Sequence, residues 1–220
     1  MHLNADERRR IDRCVADCEA RTGAQVVTAV VGKSDNYPEI PWKAFALGVS
    51  LTALVRLALD VAHPDWLTGY GTLSGVVLIL GAGAALALGT IRWHVLARIF
   101  LHGTRAETEV MQNAQALFLR HEAFATPLRN GVLILVSIFE RRVVIFPDVG
   151  LRAHLGDEDL QPAIAKMTPL LAADNVGEAL CQGVRAVEAL LVARGVRATG
   201  NEGGGLPDAT IEEGGSDART

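Results

Sequence analysis

From Trp66 to Ile91 the chain runs 26 residues without one charged side chain. As a helix rising about 1.5 Å per residue, such a run is long enough to cross a bilayer core roughly 30 Å thick. Its glycines, among them Gly71, Gly75, Gly81, Gly83 and Gly89, would weaken a helix in water. In a bilayer, small residues instead let a second helix approach closely. Gly81, Ala85 and Gly89 recur at four-residue spacing and form such a face, suited to contact with another membrane protein. Residues from about 67 to 91 are therefore read as a transmembrane helix.

The stretch before it, about residues 42–62, is less uniform. Ala44 to Val55 is uncharged, but Arg56 and Asp60 follow. Four residues apart, they share one helix face and can pair, and Arg56 can snorkel toward the nearer interface. His63-Pro64-Asp65 reads as a turn. A two-span hairpin over 42–92 is the preferred reading, and a single span preceded by an interfacial helix is the other. Lys33 and Lys43 flank the first span, Arg92, Arg98 and Arg105 follow the second, and the loop between holds neither Lys nor Arg. By the positive-inside rule both ends of the hairpin face the cytoplasm. The expectation is a multi-pass protein of the inner (cytoplasmic) membrane with its soluble part on the cytoplasmic side. Nothing in the first 41 residues has the basic start and apolar run of a cleavable signal peptide.

A net charge of −4 excludes a basic face for nucleic acid, and an aromatic content of 5% leaves little for stacking platforms. Three cysteines do not make a disulfide framework, and reduced thiols suit the cytoplasm.

The flanking segments, residues 1–41 and 93–197, read as two parts of one soluble domain. Asn4 and Glu7 have the spacing of a capping box, and Ile11, Cys14, Val15 and Cys18 follow at helical spacing up to Gly23. Ala24–Val31 is a β-branched run between glycines, a buried strand. After the second span, apolar residues from Leu96 to Phe118 keep a helical period. The membrane helix therefore runs on, or restarts after Gly103, as far as about His121. Gly131–Ile138 and Arg142–Phe146 read as a β-hairpin stopped by Pro147. Asp157 can cap a helix to about Met167, limited by Pro169. Asn175 and Glu178 suggest another capping box, opening a helix that ends at Gly195. Residues 198–220 are rich in glycine and acids and are expected to be a disordered tail. Strands apolar on both faces need helices on both sides. The fold class is thus α/β, a mixed β-sheet flanked by helices on both faces, with an inserted two-helix transmembrane hairpin.

The segment Arg129-Asn-Gly-Val-Leu-Ile-Leu-Val-Ser-Ile-Phe-Glu-Arg-Arg-Val-Val-Ile-Phe-Pro-Asp-Val-Gly-Leu151 resembles the core motif of the TPM domain family. That pattern is an Asn-Gly, a hydrophobic strand, a basic turn, a second strand and a glycine-bearing turn that opens a helix. The family's Gly-X-Gly turn here reads Pro147-Asp148-Val149-Gly150. The resemblance covers residues 4–32 and 93–195 and points to the bacterial membrane branch, which carries a two-span insertion. It implies either an accessory role or, as in some members, acid phosphatase activity or divalent-cation binding through acidic residues near strand ends.

Candidate residues follow, each with an ordinary structural alternative. Asp148, just past a strand end, is a metal ligand or catalytic carboxylate, or else a turn former. On either footing, Asp148→Asn should be nearly silent for folding. Arg129 is an anion-binding group or a solvated loop arginine. His154 is a general acid or a surface histidine. Asp157, Glu158 and Asp159 attract Ca²⁺ or Mg²⁺, or simply favour a helix start. Cys14 and Cys18 pack in the core. His121-Glu122 lacks the second histidine a zinc site requires. Two functions stay open: a non-catalytic accessory or assembly factor for a membrane protein or complex, with no cofactor, and a membrane-tethered phosphatase using either a metal, Ca²⁺ or Mg²⁺, or a carboxylate. The first is favoured, because the convergent ligands the second requires are only scattered candidates.

Overall fold

The computed structural model describes residues 3–63, 69–122, 125–198 and 210–213. The chain divides into two compact units, one formed by Met1–Asn36 with Thr104–Thr220 and the other by Tyr37–Gly103.

The first unit is built on a four-stranded sheet of β1 (Gln25–Val31), β2 (Gly131–Ser137), β3 (Arg142–Pro147) and β4 (Ile211–Glu213), in the order β3-β2-β1-β4. β1 and β2 run parallel, Gln25 opposite Gly131 and Val31 opposite Ser137. β2 and β3 form the antiparallel hairpin, Val132 opposite Pro147. The sheet is therefore mixed, as its sequence pattern requires. Alternation sends Val26, Val30, Val132, Ile134 and Val136 to one face, against α1 (Ala5–Thr22), α6 (Asp157–Ala172) and α7 (Val176–Ala193). Val27, Ala29, Val31, Leu133 and Leu135 go to the other, against Val110, Ala114, Leu117 and Phe118 of α5 (Gly103–Arg120).

Local chemistry sets the helix ends. The Asn4 carboxamide accepts from the Asp6 and Glu7 N–H groups while Glu7 accepts from Asn4 N–H, the reciprocal capping box. Gly23 and Gly195, at φ 70° and 78°, take the left-handed turn after α1 and α7. Three expectations need correction. The cap of α6 is Gly156, not Asp157: the Asp159 carboxylate accepts from Gly156 N–H at 3.2 Å. That helix also passes through Pro162 and Pro169 to Ala172. Its buried Leu160, Ala163, Met167 and Leu171 anchor one continuous face, and this packing outweighs the missing donors. The tail is not wholly without order. β4 adds to the free edge of β1, Ala29 opposite Ile211, with Ile211 against the α5-side core and Glu212 paired to Arg8 at 2.9 Å. Edge pairing needs few apolar residues, which is why composition conceals it. The other tail residues, 199–209 and 214–220, lie outside the described residues.

The second unit contains α2 (Glu39–Ala62), α3 (Gly69–Arg92) and the short α4 (His94–Ile99). Both long helices are long and apolar enough to cross a membrane. They meet through small residues. A Cβ on Gly48 would lie 2.9 Å from Gly83 Cα, and one on Gly83 would lie 2.6 Å from Val49 Cγ2. Arg56 pairs with Asp60 at 2.9 Å along α2, as their spacing predicts, and its side chain rests beside Gly75. Of the two readings after the second span, the restart holds: α3 stops at Arg92, and α5 begins at Gly103. Of the turn expected at His63-Pro64-Asp65, everything beyond His63 lies outside the described residues.

Candidate functional site

β3 ends at Pro147, and the next turn folds back over the start of β2. Asp148 N–H donates to Gly131 O at 2.8 Å, and Gly150 N–H donates to Arg129 O at 3.0 Å. The approach is so close that a Cβ on Gly150 would collide with Leu128 O and lie 2.6 Å from Arg129 O. Only glycine fits there. Arg129 holds φ at 54°, the left-handed region that non-glycine residues seldom occupy.

That conformation brings its guanidinium onto Asp148. Arg129 Nε donates to Oδ2 at 2.7 Å and Nη2 to Oδ1 at 2.9 Å, a two-pronged ion pair. Val149 N–H adds a third bond to Oδ1 at 2.7 Å. Asp148 is 4% exposed and the Arg129 side chain 50%. Burial by itself would raise the Asp148 pKa. The bonds from Arg129 and Val149, with the charges of Arg129 and Arg152, outweigh it and hold the carboxyl below its ordinary value. Asn130 ties the neighbouring strand in: its Nδ2 donates to Gly23 O at 2.6 Å and its carbonyl accepts from Gln25 N–H at 3.1 Å. The Asn-Gly and Asp-X-Gly elements thus form one clasp at the end of the sheet where β1 and β2 begin.

The model of the TPM domain family matches residues 95–190, which include this clasp. Residues 95–190 are therefore similar to a TPM domain. The solved structure of the BA42 protein from the psychrophilic bacterium Bizionia argentinensis is similar in fold, with a TM-score of 0.58 over 97% of both chains at 14% identity. Among curated proteins nothing matches the sequence.

Around the clasp lies a shallow cleft of about 170 Å³, lined by Gly23, Asn130, Gly150, Leu151, His154 and Arg197. His154 is half-buried on its wall. The structure therefore joins Asp148 to Arg129 directly and sets His154 in the adjoining cleft. It does not bring the α6 acids to them. Asp157 and Glu158 are exposed, while Asp159 is engaged by Gly156 N–H and by Arg194 at 2.7 Å. Among the described residues no group of three His, Cys, Asp or Glu side chains is placed to share a metal ion.

The opposite end of the same sheet holds a cluster that sequence reasoning passes over. Ser34 N–H donates to Glu140 Oε1 at 2.9 Å, Ser34 Oγ and Ser137 Oγ are 2.9 Å apart, and Ser137 Oγ donates to Glu140 Oε2. Ser137 and Glu140 are buried. This network ties the loop after β1 to the β2–β3 turn. The sequence signal is slight, a serine closing β2 and another three residues past β1, and the 103-residue separation of Ser34 and Ser137 hid their meeting.

Proposed function

We propose that the chain is an accessory or assembly factor for another membrane protein, its TPM domain anchored by the α2–α3 hairpin on the cytoplasmic side of the inner membrane. The observation that carries this reading is the engagement of Asp148. Both oxygens of the strongest candidate carboxylate already accept from Arg129, so the pair reads as the fastener of a turn rather than as a free ligand or base.

Anchoring is supported by where the hairpin's apolar surface lies. Leu47, Leu51 and Leu54 of α2 and Leu73, Val77 and Leu80 of α3 are exposed. Only 11% and 22% of the most apolar windows of the two helices are buried, whereas a core helix of a soluble domain would be mostly covered. The Lys and Arg residues flanking the hairpin favour cytoplasmic ends. Gly81 and Ala85 are exposed along α3 and open to a partner helix; Gly89 lies under Leu96 of its own unit. The proposed partner surface is accordingly shorter than the Gly81/Ala85/Gly89 spacing suggests. The net charge of −4 supports a partner that is not nucleic acid.

The test is affinity purification of the full chain from detergent-solubilised membranes. A membrane protein recovered in stoichiometric amount, and lost with Gly81→Leu, is the expected result. A protein that purifies alone and hydrolyses phosphomonoesters with Ca²⁺ or Mg²⁺ would replace this reading with a membrane-tethered phosphatase. For orientation, a reporter active only outside the cytoplasm and fused after Val196 should stay silent, and activity there would reverse the topology.

A further inference from the structure

α1 and α7 lie side by side and run in the same direction, and three cross-contacts keep the same offset to within one residue. Arg10 pairs with Glu178 at 2.9 Å, Cys14 Sγ lies 2.8 Å from Cys181 Sγ, and Arg21 pairs with Glu188 at 2.7 Å. The two ion pairs bracket the cysteines and fix the register in which their sulfurs meet. At that separation the thiols are closer than ordinary sulfur contact and need only a small movement to reach the disulfide bond length of about 2.05 Å.

A surface groove of about 370 Å³ opens on one of the two sulfurs, lined by Cys14, Asp17, Arg21, Arg185, Glu188 and Val192. Cys14 is half-buried and Cys181 buried. Burial, reinforced by the bond to Cys14, pushes the Cys181 thiol up to about 12. Cys14 is therefore the sulfur that a soluble oxidant meets first, and Cys181 the one positioned behind it.

We propose that Cys14 and Cys181 are a reversible redox pair that closes into a disulfide between α1 and α7 with a hydroperoxide as the oxidant. The Cys14 thiolate attacks one peroxide oxygen. The O–O bond breaks, the leaving hydroxide takes a proton to become water, and Cys14 becomes a sulfenic acid. The Cys181 sulfur then attacks the Cys14 sulfur, the S–O bond breaks, and a second water leaves with the Cys181 proton. In sum, two thiols and one hydrogen peroxide give one disulfide and two waters, with two electrons passing from sulfur to oxygen. A dithiol or glutathione reverses the step by thiol–disulfide exchange. The bond would lock the first helix of the chain to the last helix of the domain and restrict the unfolded chain across nearly its whole length.

Cys18 is the internal control. It is buried one turn further along α1, its thiol is pushed up to about 12 chiefly by burial, and it faces Thr22 Oγ1 at 3.9 Å. The experiment treats the purified full chain in detergent with hydrogen peroxide, then unfolds it and alkylates the remaining thiols. The expected product has lost two hydrogens, takes up label only at Cys18, and yields one peptide pair joined through Cys14 and Cys181. Its melting temperature should rise by several degrees and fall back with dithiothreitol. Cys18→Ala should form the same bond, while Cys14→Ser and Cys181→Ser should not. Label at all three cysteines, sulfinic acid at Cys14 with Cys181 still free, or disulfides only between separate chains would each overturn the proposal. Because peptide mapping is done on the wild-type chain, the outcome does not depend on any variant folding.

Discussion

In α1 the exposed positions are mostly Asp and Arg, among them Asp6, Arg9, Arg13 and Asp17, while Ile11, Val15 and Cys18 are buried; in α2 and α3 the exposed positions include Leu47, Leu51, Leu54 and Leu73, while Gly48, Gly75 and Gly83 are buried. Under the proposed anchoring, the inversion reflects two solvents. Water drives the α/β unit to hide its hydrocarbon, whereas hydrocarbon offers no such drive, so helices there associate by close approach of backbones. Glycine shows the difference at single positions. Gly150 admits two carbonyls of a folded-back loop, and Gly48 and Gly83 admit a neighbouring helix.

The largest effect should come from breaking the clasp. Gly150→Ala places a methyl against Leu128 O and Arg129 O, so the backbone of two segments must move. A loss of about 3 kcal/mol or more is expected, read as a melting temperature lower by roughly 6–12 °C. In the hairpin, Gly83→Leu should cost about 1–3 kcal/mol of helix–helix packing, measured by denaturant titration in detergent. It should leave the melting of the α/β unit in place. Gly81→Leu, at a position where an added Cβ meets nothing within 4 Å, should change neither by more than about 0.5 kcal/mol. Equal effects of Gly81→Leu and Gly83→Leu would break the distinction between an internal and an open face.

A smaller effect is expected at Asp148. Sequence reasoning makes Asp148→Asn nearly silent, but the bidentate pair with Arg129 changes that. Asn keeps a bond from Val149 and loses the charge, so about 1 kcal/mol should be lost, reduced by the solvent around the half-exposed Arg129. The carboxyl is depressed below its ordinary value of 3.8 in the folded state. Its contribution is therefore complete above about pH 4 and fades as pH falls through the folded value. The gap in stability between wild type and Asp148→Asn should narrow on acidification below pH 4 and stay constant between pH 6 and 8.

What the sequence reveals and what it hides divides along the same lines of physics. The Asn4 capping box, the β2–β3 hairpin and the long apolar helices are legible because each rests on neighbours within a few residues. The Arg129–Asp148 pair is half legible. Both residues stand out near strand ends, but their contact depends on Gly150 folding the turn back, 19 positions being spanned by the pair. The Cys14–Cys181 contact and the Ser34–Ser137–Glu140 network join residues more than 100 positions apart, and no local pattern announces them. Pro169 misleads because a proline's local penalty says nothing of the core face around it.

On the proposed reading, Asp148 fastens a turn and neither binds a metal nor performs chemistry. The measurement that bears on it most directly is calorimetric titration of the full chain with Ca²⁺ and with Mg²⁺, run in parallel on wild type and Asp148→Asn. No saturable stoichiometric heat is expected for either cation in either protein. Saturable one-to-one binding in wild type, abolished by Asp148→Asn while the melting temperature falls by no more than a few degrees, would contradict it.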